Sequence, residues 1–146
     1  MTKNDDKLFF FSQLIDATER QIPIALERVS AGFPSPAENY IEESLDLNKH
    51  LIKNPPATFL VRVDGDSMIN ASINPGDIII IDRSIESVNT DIIVAVVDGQ
   101  FTVKRLIINN DKVSLFPENP NYRPIVITEG MEFEVWGKVV SVIHKF

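Results

Sequence analysis

Cysteine is absent from this 146-residue chain, which excludes disulfides and thiolate metal sites and fits a reducing cytosol. Histidine is scarce, and neither His50 nor His144 stands in a recognisable catalytic setting. Positive charge is in deficit, with 14 Lys and Arg against 21 Asp and Glu and a net charge of −7. No run of basic residues offsets that balance, so strong direct binding of nucleic acid through phosphate neutralisation is excluded. Long apolar runs are missing as well. Ile78 to Ile81 and Ile92 to Val97 have the length of strands, far short of a bilayer span. Leu8-Phe9-Phe10-Phe11 is interrupted by Ser12, Gln13 and Asp16 before it could serve as an export signal. The expectation is a soluble, cytoplasmic protein with no membrane partner and no cofactor.

What is present divides into an arm and a body. Met1 to Ser30 mixes an aromatic patch, Phe9 to Phe11, with charged and weakly periodic sequence, and reads as an arm rather than a folding unit. Leu14, Ile15 and Thr18 suit at most one short helix. Ala31-Gly32-Phe33-Pro34-Ser35-Pro36 punctuates the chain, because its glycine and prolines oppose helix and favour extended backbone. Ser35-Pro36-Ala37-Glu38 then has the form of a capping box, which predicts a helix from about Pro36 to Ser44. Asp46 is placed to cap a second short turn through Leu51, ended by Pro55 and Pro56.

From Ala57 the apolar period becomes two. Strands are predicted at Thr58 to Val63, Asp77 to Asp82, Asp91 to Val97, Phe101 to Ile108, Lys112 to Phe116, Ile125 to Thr128, Phe133 to Trp136 and Lys138 to His144. Asp98-Gly99 and Asn109-Asn110-Asp111 supply hairpin turns. Short strands in close succession predict a mostly β, mainly antiparallel body with one or two short helices.

Two residues in this body can carry hydrolytic chemistry. Ser67, in Gly65-Asp66-Ser67-Met68, follows a strand and a turn, so its side chain stands at an element boundary. Main-chain N–H groups at such a turn, those of Asp66 and Ser67, can hold a developing oxyanion. Lys104 lies in the strand leaving Asp98-Gly99, on the face shared by Thr102 and Leu106. A lysine drawn against an apolar surface loses hydration, which disfavours its charged form and allows it to act as a base. An uncharged lysine can take the proton that keeps a serine hydroxyl from being nucleophilic. Taken singly, each has a plainer reading: a polar turn, a lysine snorkelling to solvent, and, for Ala31-Gly32, a linker. Asp64, Asp66, Asp77 and Asp82 suggest a metal cluster, but they occupy turns and strand ends where aspartate is common, so no metal is expected. Trp136 and the phenylalanines read as core or interface, and His144 as structural.

Together, Gly32-Phe33-Pro34-Ser35-Pro36-Ala37, Leu45-Asp46-Leu47-Asn48, Gly65-Asp66-Ser67-Met68 and Asp98-Gly99-Gln100-Phe101-Thr102-Val103-Lys104 resemble the UmuD branch of the LexA/UmuD family. The likeness runs from about Pro23 to Lys145. It implies a LexA-like β fold and a self-cleaving serine endopeptidase with a Ser–Lys dyad. By that resemblance Ser67 is the nucleophile, Lys104 the general base, and Ala31-Gly32 the bond cut, dividing the chain into a cleavable arm, 1–31, and a protease and interaction domain, 32–146. The resemblance also implies a homodimer, stimulation by a RecA filament on single-stranded DNA, and a processed form that joins a UmuC-like polymerase in error-prone translesion synthesis during the SOS response. UmuD proteins often carry cysteine before the cleavage-site glycine, whereas this chain has Ala31; alanine keeps the small side chain that close approach of the bond needs. The alternative is a LexA-type self-cleaving repressor fragment without its DNA-binding domain, since Met1 to Ala31 is too short and too acidic for a helix-turn-helix headpiece. A signal-peptidase-like enzyme would need a membrane anchor, and a subunit that has lost catalysis would not be expected to keep both Ser67 and Lys104.

Overall fold

A computed structural model of the chain describes residues 19–25, 28–33 and 42–146. These fall into two compact units that divide between Lys53 and Asn54.

The smaller unit holds a two-stranded antiparallel ribbon, β1 (Ile22–Ala25) and β2 (Glu42–Leu45), in which Ile22 pairs with Leu45 and Ala25 with Glu42. The ribbon overturns one expectation. Glu42 to Ser44 were predicted to end a helix and are strand instead; the rest of that helix, and the short helix suited by Leu14, Ile15 and Thr18, lie outside the described residues. Within the segment read as an arm, Ile22–Ala25 forms β1. A capping box is a signal a few residues long, whereas β2 is chosen by a partner strand about twenty residues upstream, and such pairing overrides local preference. The second short turn does form, as helix α1 (Leu47–Leu51): Asp46 caps it by accepting from the N–H groups of Asn48 and Lys49 at 2.9 and 3.3 Å. Lys49 also pairs with Glu19.

The larger unit is built on seven strands: β3 (Thr58–Arg62), β4 (Ile78–Asp82), β5 (Ile92–Val97), β6 (Gln100–Asn109), β7 (Lys112–Phe116), β8 (Ile125–Val126) and β9 (Phe133–Ile143). Their order across the sheet is β3-β4-β9-β5-β6-β7-β8, every neighbouring pair antiparallel. The mostly β, antiparallel prediction therefore holds. Turn chemistry sets the registers. Asp98 and Gly99 have φ of 48° and 78°, and Asn110 and Asp111 have 47° and 66°. Such paired left-handed residues make two-residue hairpin loops whose twist matches the strands, joining Val97 to Gln100 and Asn109 to Lys112.

The sheet is packed on both faces, as alternation along β5 shows. Val94 belongs to one cluster, with Val61, Val63, Met68, Ile73, Ile79 and Ile81, while Ile93 and Ala95 belong to another with Leu106 and Leu115. Trp136 packs against the first, its ring edge-to-face with Phe59 and Phe101 and under the Arg83 guanidinium at 4.4 Å.

Where two strands were expected at Phe133 to Trp136 and Lys138 to His144, the structure has one, β9, running through Gly137 between β4 and β5. The pairing jumps from Val135 to Gly137 against Ala95 and Val94, and from Val139 to Ser141 against Ile81 and Ile80. Trp136 and Val140 are thus the extra residues of two bulges. Glycine reads as a break in sequence but here permits close approach: a Cβ at position 137 would stand 2.4 Å from Ile81 Cγ2.

Candidate functional site

Ser67 and Lys104, two of the residues singled out by sequence, meet at the loop between β3 and β4. Residues 63 and 77 close its base, Val63 N–H donating to Asp77 O at 2.8 Å and Gly76 N–H to Val63 O at 2.8 Å. Gly65, at φ 83°, turns the chain in a region where side chains are disfavoured, and a single 3₁₀ turn, Ile69–Ala71, follows. Met68 and Ile73 drop into the first apolar cluster with 2% and 1% of their surface exposed. Ser67, immediately before this anchor, is half-buried at the turn where it was expected.

Lys104 is placed by β6. It pairs with Ile93 of β5, and Thr102 pairs with Ala95, so both share a strand face with Leu106. That face carries the second apolar cluster, and Lys104 retains only 9% exposure. Its Nζ lies 3.1 Å from Ser67 Oγ, 2.8 Å from Thr102 Oγ1 and 3.0 Å from the Val103 carbonyl oxygen. An uncharged amine at this distance keeps a lone pair that can accept the hydroxyl proton. The sequence reading that Lys104 and Thr102 share a face thus places Thr102 beside the amine.

A second segment braces the Ser67 turn from outside. Glu118 N–H donates to Ser67 O at 2.8 Å, Asn70 N–H to Glu118 O at 2.8 Å, and Asn119 Nδ2 to Asp66 O at 2.9 Å. Tyr122 Oη donates to Asp66 Oδ1 at 2.5 Å, and Arg105 Nε meets Glu118 Oε1 at 2.5 Å. No motif in the sequence flagged this brace; Pro117 and Pro120 mark only that the stretch leaves the β7 strand. An open cavity of about 290 Å³ beside it is lined by Asn70, Glu118, Asn119 and Tyr122 among others, and by neither Ser67 nor Lys104.

Among the described residues the N–H groups of Asp66 and Ser67 donate no hydrogen bond. Ala31 and Gly32 lie in an exposed bend of the smaller unit, where Phe33 N–H donates to Ser30 Oγ at 3.1 Å. The four aspartates weighed as metal ligands have separate engagements: Asp64 accepts from Gly65 N–H, Asp66 from Tyr122, Asp77 from Asn74 N–H and His144, and Asp82 from Asn54 and Ser84. Burial pushes the Asp77 carboxyl up, but the Asn74 N–H and His144 outweigh it and leave it below its ordinary value of 3.8. Asp82 is lowered in the same way, burial being overcome by Asn54 and Ser84. Among the described residues no helix is long and apolar enough to cross a membrane.

Comparison with known proteins gives this geometry a context. Residues 23–140 match the model of a family described as peptidase S24-like. SamA of Salmonella typhimurium is 45% identical over 123 residues, covering 84% of this chain and 85% of SamA. MucA of Escherichia coli is 40% identical over 119 residues, 81% of each chain. LexA repressor 1 of Geobacter sulfurreducens is 41% identical over 126 residues, 86% of this chain but 61% of the repressor.

Proposed function

Because this chain belongs to the peptidase S24-like family and is UmuD-like within it, we propose that it cuts its own Ala31–Gly32 bond with Ser67 as nucleophile and Lys104 as general base. Ser67 Oγ attacks the Ala31 carbonyl carbon while its proton passes to Lys104 Nζ. The negative charge that develops on the Ala31 oxygen is held by the N–H groups of Asp66 and Ser67. As the intermediate collapses, the Lys104 ammonium returns the proton to the departing Gly32 nitrogen, leaving residues 1–31 as an ester on Ser67. Water, deprotonated by the same amine, then releases that fragment and restores the hydroxyl.

The observation that carries this reading is the 3.1 Å approach of Nζ to Oγ by a lysine buried on an apolar face. A distance in the hydrogen-bond range is what a base and its proton donor require. Thr102 Oγ1 and the Val103 carbonyl also lie within hydrogen-bond distance of the amine and hold it in place. In the wider setting of this reading, the chain acts as a cytoplasmic homodimer, a RecA filament on single-stranded DNA stimulates cleavage, and the trimmed chain joins a UmuC-like polymerase in translesion synthesis.

The test is direct. Wild-type, Ser67→Ala and Lys104→Ala chains are incubated with and without RecA filaments on single-stranded DNA, and loss of residues 1–31 is followed on a gel. The wild type should be trimmed, faster with the filament, and neither variant should be. Trimming of both variants would sink the dyad, and trimming indifferent to the filament would remove RecA as the stimulus.

A further inference from the structure

We propose that Asn119 is a positioning residue for this reaction, one that aims the Ser67 N–H at the oxyanion by holding the carbonyl on the far side of the same peptide plane. The inference rests on the self-cleavage reading above. A trans peptide unit is planar, with its C=O and N–H pointing in opposite directions. The Asp66–Ser67 unit carries the Asp66 carbonyl and the Ser67 N–H. That carbonyl accepts from Asn119 Nδ2 at 2.9 Å and, over a longer 3.3 Å, from Ile69 N–H within the turn itself; the shorter bond from outside the turn limits how far the plane can rotate and so where the Ser67 N–H points.

Asn119 is itself well fixed. It is 8% exposed, its Oδ1 accepts from Asn121 N–H at 3.0 Å, and its main-chain carbonyl accepts from Tyr122 N–H at 3.1 Å. The next peptide plane is held in the same manner, Glu118 N–H donating to Ser67 O at 2.8 Å. Two successive carbonyls of the nucleophile turn are therefore tied to one rigid segment, and the N–H groups opposite them are left to face elsewhere. Tyr122 differs in kind: it holds the Asp66 carboxylate, a side chain that can rotate without turning the peptide plane.

Asn119→Asp tests this with little change of shape. It keeps an oxygen for Asn121 N–H and sets a second oxygen, no longer a donor, against the Asp66 carbonyl. Self-cleavage of the full chain is followed as a function of pH, beside Asn119→Ala and Tyr122→Phe and with melting temperatures recorded. Both Asn119 variants should lose about tenfold to a hundredfold in the maximal rate, a misaimed donor mattering somewhat less than a deleted one. The pH at half-maximal rate, set by Lys104, should stay in place, and Tyr122→Phe should remain within about threefold of wild type. If the Asp variant does not fold, the alanine variant gives the same reading without a buried charge. A wild-type maximal rate in a folded Asn119 variant would overturn the proposal, as would a loss matched by a shifted pH midpoint or by an equal loss in Tyr122→Phe. The underlying reading fails separately, through wild-type protein that does not cut or Ser67→Ala protein that does.

Discussion

Replacing Lys104 by methionine would separate the catalytic role of the buried amine from its structural one. Methionine keeps an unbranched stem for the face shared with Thr102 and Leu106, opposite Ile93, and removes the ionisable end. Two effects on stability then oppose each other. Ser67 Oγ, Thr102 Oγ1 and the Val103 carbonyl lose the amine as a partner, a loss of about 1 kcal/mol for each bond. Against that, the variant no longer has to bury a polar amine, which costs about 1–3 kcal/mol on mutational scales. The net change at neutral pH is expected to lie within about 2 kcal/mol of zero, read from urea unfolding of both proteins. Self-cleavage of the variant should fall by about 10²- to 10⁴-fold, the usual worth of a general base. A loss of stability well beyond about 2 kcal/mol, or a variant that cuts at the wild-type rate, would refute the reasoning.

Three further outcomes are expected. Gly137→Ala should destabilise the fold by about 1–3 kcal/mol in urea unfolding, because its Cβ would meet Ile81 Cγ2 at 2.4 Å in the strand between β4 and β5; an unchanged midpoint would mean that the approach is relaxed in solution. His144→Ala removes one of the groups that depress Asp77, whose stabilising effect is present above its ordinary value of 3.8 and is lost as pH falls through its lowered folded value. The variant should be less stable by about 1 kcal/mol at neutral pH, with a gap that closes in acid, and a gap that widens in acid would contradict the assignment. Gly32→Val should leave stability alone, since a Cβ there meets nothing within 4 Å, yet slow self-cleavage by crowding the scissile bond; an unaltered rate would place the cut elsewhere.

The body was legible because its signals are local. Asp98-Gly99 and Asn109-Asn110-Asp111 mark hairpins within a few residues, and alternation along β6 puts Lys104 on one face with Thr102. Asp46 was readable as a cap for the same reason. Non-local choices were not legible. Nothing in Glu42 to Leu45 announces that Ile22 to Ala25 will pair with it, and the helix expected there gave way to a strand. Gly137 looked like a break because a sequence shows the missing side chain but not the Ile81 methyl group that requires it to be missing. The brace through Glu118, Asn119 and Tyr122 lies about fifty residues from the turn it holds, and its polar residues resemble those of any loop. Ser67 and Lys104 could be picked out singly, each with a bland explanation; what local pattern could not supply was the 3.1 Å between them.

Intact-mass measurement of both products of the incubated full chain tests the central claim most directly. The account predicts one fragment ending at Ala31 and one beginning at Gly32, with neither formed by the Ser67→Ala chain. Fragments from a different bond, or the same pair arising without the Ser67 hydroxyl, would contradict it.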